Sequence, residues 1–220
     1  MRRWRPGCWS ILALLIALVI FAAVWMLRPQ PLGTRATIEA VAATPVPEAA
    51  LRPASAFADI ADPQARSVAL FQEAGRVIQH PRCLNCHPRT DRPTQTAAMR
   101  PHMPAVTRGP DGGGASELRC TTCHRPANFD VANIPGNPKW ALAPAEQAWQ
   151  GRSLGEICRQ LLDPSRSHMT QAQLLEHMRA DELVGWAWHP GGTREPAPGT
   201  QAQFGALIEA WLASGATCPA

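Results

Sequence analysis

At 220 residues the chain has room for one globular domain and a further segment, and its 45% apolar content is inflated by a single N-terminal run. Basic residues outnumber acidic ones by 21 to 17, but the excess is spread along the chain and is almost wholly arginine, so nothing resembles a nucleic-acid-binding patch. Twenty-two prolines and sixteen glycines, with no tyrosine, point to short helices joined by loops and away from an extended sheet.

Arg2, Arg3 and Arg5 precede residues 9–27, which carry no charge and as a helix would span about 28 Å, close to the roughly 30 Å hydrocarbon core of a bilayer. A cleaved signal peptide would have a shorter apolar core and small residues soon after it, whereas Trp25, Met26, Leu27, Arg28 and Pro29 follow here. The expectation is one transmembrane signal anchor over residues 1–28. Its leading arginines hold the N-terminus in the cytoplasm, so that the rest of the chain lies in the periplasm of a bacterial inner membrane. Cys8 precedes the apolar run and is therefore no lipoprotein cysteine. Residues 29–59, with Pro29, Pro31, Pro45, Pro47 and Pro53 and no apolar period, read as a semi-rigid linker.

The remaining residues, 60–220, are expected to form one mainly α domain with long Pro/Gly-rich loops. Asp62 and Pro63 suit an N-cap and N1, and Val68, Phe71, Ala74, Val77 and Ile78 then share a helical face. That helix leads into Cys83-Leu84-Asn85-Cys86-His87. The pattern C-x-x-C-H is the attachment signature of c-type haem, in which two thiols bond the porphyrin edge and the adjoining imidazole takes one axial position on iron. It recurs at Cys120-Thr121-Thr122-Cys123-His124. A thioredoxin-like dithiol would be expected once, and a four-cysteine zinc site has no need of a histidine after each pair. The reading is therefore a compact dihaem cytochrome c-type domain holding two covalently bound c-type haems. The proline- and glycine-rich stretch between the motifs is too short to house a haem domain of its own.

Helical signals resume after the second motif. Ser153 with Glu156 and Thr170 with Gln173 are capping boxes, and a last helix begins near Thr200, with Phe204, Leu207, Ile208, Trp211 and Leu212 on one face and Gly215 to stop it. With His87 and His124 as proximal ligands, a carrier needs a sixth ligand at each iron. His102 and His177 are the candidates, with Met103 and Met178 as alternatives, and nothing in the sequence says which serves which haem. His80, His168 and His189 suit turn or surface roles. Arg108 is a candidate partner for a haem carboxylate, with Arg119 beside it and a solvated surface as the other reading. Four of the seven cysteines belong to the motifs and Cys8 to the membrane segment, which leaves Cys158 and Cys218 to form a disulfide or to remain as two buried thiols.

The series Arg82-Cys83-Leu84-Asn85-Cys86-His87-Pro88, Arg100-Pro101-His102-Met103, Arg108-Gly109-Pro110-Asp111-Gly112, Arg119 to His124, and Glu176-His177-Met178 before Trp186-Ala187-Trp188 resembles a group of small bacterial dihaem c-type cytochromes. Members often carry the label isoquinoline 1-oxidoreductase subunit. The resemblance spans about residues 65–219 and implies a periplasmic electron-transfer component. No molybdopterin or iron–sulfur segment is recognisable, so any oxidoreductase catalysis would belong to a partner. The expected role is carriage of electrons between a periplasmic dehydrogenase and a respiratory acceptor, with no substrate transformed by this chain. The rival is a dihaem enzyme of peroxidase type, or a haem-based sensor, with one open axial site.

Overall fold

A computed structural model describes residues 50–220 and, before them, Leu18 alone. The expected membrane anchor and most of the expected linker lie outside the described residues. Among the described residues no helix is long and apolar enough to cross a membrane.

Asp62 starts the first long helix, α1 (Pro63–Ile78), because its carboxylate accepts the backbone N–H groups of Gln64 and Ala65 and Pro63 needs no partner at N1. The buried face is Ser67, Leu70, Phe71, Ala74, Val77 and Ile78; Val68, expected on this stripe, is only half-buried. A two-residue turn, Gln79 and His80, separates α1 from α2 (Pro81–Leu84), which carries Cys83 and leads into Cys86. The expected capping boxes at Ser153/Glu156 and Thr170/Gln173 open α3 (Leu154–Leu162) and α5 (Gln171–Ala180). The short helices α4 (Pro164–Ser167) and α6 (Glu182–Gly185) follow α3 and α5, and Asp163 and Asp181 cap them. The last helix, α7 (Gln201–Ala213), has a capping box of its own at Thr200 and Gln203.

Helix α7 is the centre of the packing: α1 lies on it from one side and α5 from another. Phe204, Leu207, Ile208 and Trp211 are buried at this contact, and the Trp211 ring meets Phe71 at 4.6 Å between centroids. Ser67 Oγ, fully buried, donates to Trp211 O and accepts from Thr217 N, so α1, α7 and the tail close around one hydroxyl. Cys158 of α3 and Cys218 of the tail are joined as a disulfide with Cα atoms 5.6 Å apart. The result is a mainly helical, compact fold.

Two details differ from expectation. The packed domain begins before residue 60: Leu51 and Phe57 are buried in the core, and a 3-10 turn at Ala54–Phe57 packs against α1 and α7. Two isolated apolar residues in a Pro/Ala-rich stretch show no period, so the sequence pattern alone does not reveal that they belong to the core. The region between the motifs is also not wholly loop. It holds two antiparallel hairpins, β1 (Thr94–Gln95) with β2 (Arg100–Pro101) and β3 (Gly114–Ala115) with β4 (Leu118–Arg119). Strands of two residues are too short for alternation to reveal.

Candidate functional site

The first motif forms part of the wall of a cavity of about 360 Å³. Its turn is set by helix-like hydrogen bonds: His87 N–H donates to Cys83 O at 3.0 Å, which carries the imidazole around below the two thiols. The His87 ring is fixed twice. Its Nδ1 faces Gln147 O at 2.8 Å, and its plane stacks on Trp149 at 3.4 Å between centroids and 8° between planes. Burial drives its pKa down to about 3, so the ring is neutral, and with Nδ1 as the donor its Nε2 keeps a free lone pair. On the same cavity stand Leu161, Leu174 and Phe204 from the helices, and His177 and Met178 from α5. His177 Nδ1 lies 3.9 Å from Asp181 Oδ2, and burial lowers the pKa of this ring as well.

The second motif borders a larger cavity, about 640 Å³. Hairpin β3–β4 delivers Cys120, and His124 N–H donates to Cys120 O at 2.9 Å, repeating the turn of the first motif. His124 Nδ1 faces Pro135 O at 2.7 Å, and its ring stacks on Trp140 at 4.7 Å and 20°. Gly136, next to Pro135, has room for no side chain, because a Cβ there would strike the carbonyls of Arg125 and Ala127. His102 stands across from His124, with 5.9 Å between ring centroids. Hairpin β1–β2 places it: His102 N–H donates to Pro93 O, and His102 Nδ1 faces Pro104 O at 2.9 Å. Met103 beside it is 67% exposed.

The structure thus pairs His87 with His177 on one cavity and His124 with His102 on the other. The two cavities share a wall made by Arg82, Cys86, Ala141, Leu142 and Trp186. Carbonyls at the end of the first motif knit the layers together, with Ala143 N–H donating to Cys86 O and Trp149 N–H to His87 O.

Arg108, expected as a candidate partner for a haem carboxylate, lines neither cavity; its guanidinium donates to Ala143 O, Thr90 O and Asp91 Oδ1, so it staples loops together. Its position in the chain gave no information on which way the side chain points. Arg119 does border the larger cavity, but its guanidinium is held by both oxygens of Asp111. His168, expected in a turn, is in one, with φ +57°, and that turn forms part of the smaller cavity's wall.

The thiols do not suit nucleophilic chemistry as they stand. Burial pushes Cys83 up to about 12 and Cys86 up to about 11, and it raises Cys120 too, whereas a reactive dithiol needs a depressed pKa. Among the described residues no three His, Cys, Asp or Glu side chains converge as a zinc centre requires. The sequence pattern does not single out Trp149 and Trp140 as the plates behind the His87 and His124 rings, nor Arg82 and Trp186 as members of the shared wall. Their only signal was the density of tryptophan after the second motif, eight in the chain with no tyrosine. No family model, no curated protein and no solved structure matches the chain.

Proposed function

We propose that the protein is a membrane-anchored, periplasmic dihaem c-type cytochrome that carries electrons between a dehydrogenase and a respiratory acceptor. Residues 9–27 are its anchor, and the group of small bacterial dihaem cytochromes is its family. One observation carries the reading: each cavity holds the thiols and imidazole of one C-x-x-C-H motif together with a second imidazole.

The residues fit the group. All four imidazoles turn Nδ1 toward an oxygen, that of Gln147, Pro135, Pro104 or Asp181, and this orientation leaves Nε2 for a metal. The rings of His102 and His124 stand 5.9 Å apart between centroids, both on the wall of the larger cavity. The cavity walls are predominantly apolar, as a porphyrin face requires. Cys83, Cys86, His87 and His177 would hold one haem; Cys120, Cys123, His124 and His102 would hold the other. A bound c-type haem supplies one-electron chemistry at iron, with a potential set by its axial ligands and surroundings. The chain itself favours neutral His87, His124 and His177 by burial, orients all four imidazoles through Nδ1 and two of them, His87 and His124, by stacking on tryptophan, and separates the two sites by only a single wall of side chains. With two histidines holding each haem, no axial position would remain open, which favours carriage over peroxide or gas chemistry.

The test is spectroscopic. The loaded protein should contain two haems per chain, both low-spin and six-coordinate. His177→Ala should turn one of them high-spin, and His102→Ala the other. One high-spin haem in the unaltered protein that binds peroxide or carbon monoxide would replace this reading with an enzyme or sensor. A methionine-to-iron charge-transfer band would replace His177 with Met178 or His102 with Met103.

A further inference from the structure

Arg82 lies one residue ahead of Cys83 on α2, is 6% exposed and borders both cavities. Its backbone N–H donates to His80 Nδ1 at 3.2 Å, so the main chain is anchored. Its guanidinium makes no hydrogen bond or ion pair among the described residues, and its Nε is a buried donor without a partner. Glu195, on the wall of the larger cavity, acts on it electrostatically without closing into an ion pair. The other two arginines on that wall are committed: Arg119 to Asp111, and Arg194 to the carbonyls of Pro190, Gly191 and Asn133. A desolvated cation left alone is strongly unfavourable, so a buried guanidinium with free donors facing a cavity implies an anion within that cavity.

The geometry points to Arg82 as the partner of a carboxylate on the haem held by the other motif, at Cys120 and Cys123. This inference rests on the two-haem reading. A c-type haem carries its thioether carbons on one edge and its carboxylates on the opposite edge. A side chain adjoining Cys83 therefore stands at the thioether edge of the haem its own motif holds, and the carboxylates left for it are those of the neighbouring haem. The planar fork of arginine suits a carboxylate bidentately, which a lysine at this position could not reproduce. Arg82 is then a positioning residue that ties the motifs together: the segment that binds one haem also seats the other, and its fixed charge favours the reduced state of that neighbour.

A crystal structure of the haem-loaded, unaltered protein decides the contact. A guanidinium nitrogen of Arg82 is expected about 2.7–2.9 Å from a carboxylate oxygen of the haem bonded to Cys120 and Cys123. Pairing with Glu195, with the haem at Cys83, or with no anion at all would overturn the assignment. A redox titration reads the consequence. Arg82→Gln should keep two haems and lower the midpoint potential of the second-motif haem, and Arg82→Lys should restore part of the drop. Two haems with unchanged potentials in Arg82→Gln would overturn the role of Arg82 and leave the dihaem reading standing. Fewer than two haems in the unaltered protein would remove both.

Discussion

Trp149 and Gln147 grip one imidazole from two directions. The Gln147 carbonyl takes Nδ1 of His87, its side-chain Nε2 donates to Gln160 O, and its Oε1 accepts the indole N–H of Trp149 at 3.1 Å. The indole face, in turn, lies flat on the His87 ring. Trp149 is 4% exposed, so Trp149→Ala opens a large cavity as well as freeing the imidazole. It should destabilise the loaded domain by about 3 kcal/mol in urea unfolding, the usual cost of truncating a buried indole. The same variant should broaden the low-spin resonance of one haem only, because His124 rests on a different plate, Trp140. A loss near zero, or equal broadening at both haems, would contradict this account of the grip.

At the scale of elements, the disulfide and the caps hold the helices in place. Cys158 is fully buried on α3, and its bond to Cys218 closes a loop with a sequence separation of 60. In the chain-entropy model such a loop contributes about 4 kcal/mol. Cys158→Ala with Cys218→Ala should therefore lower unfolding free energy by up to that amount, measured by denaturant titration, while the haem content stays at two. The helices were legible in the sequence because their signals are local: Asp62 before Pro63, Ser153 three residues before Glu156, and Thr170 three before Gln173. The partners of the imidazoles were not legible. Gln147 is 60 positions from the His87 it orients, and His102 reaches its place only because a hairpin with two-residue strands carries it there. The cysteines and histidines Cys83, Cys86, His87, Cys120, Cys123 and His124, which line the two cavities, stand out in the sequence as a repeated five-residue pattern. Arg82 and Arg108 are equally buried, and what separates them, a place on the cavity walls for Arg82 and three loop acceptors for Arg108, is a tertiary property that the chain order does not show.

Across the whole molecule the core is unevenly distributed. Leu84 and Trp149 are buried, but between them no Ala, Val, Ile, Leu, Met, Phe or Trp side chain is, and Phe129 and Val131 are 53% and 94% exposed. The buried groups in that stretch include Arg108, Asn137 and Gln147, which hydrogen bonds hold and apolar contact does not. The helices have a core of their own around α7; the loops that carry the second motif do not. Limited proteolysis should accordingly cut the haem-free chain within residues 88–142 well before it cuts α1, α3 or α7, and haem loading should suppress those cuts. Equal cleavage with and without haem would mean that the loops are self-supporting. The uneven core also bears on the life of the protein in the cell. On the dihaem reading proposed above, a chain that missed its second attachment would expose its largest unsupported segment, and proteases would remove such an incomplete molecule ahead of a complete one.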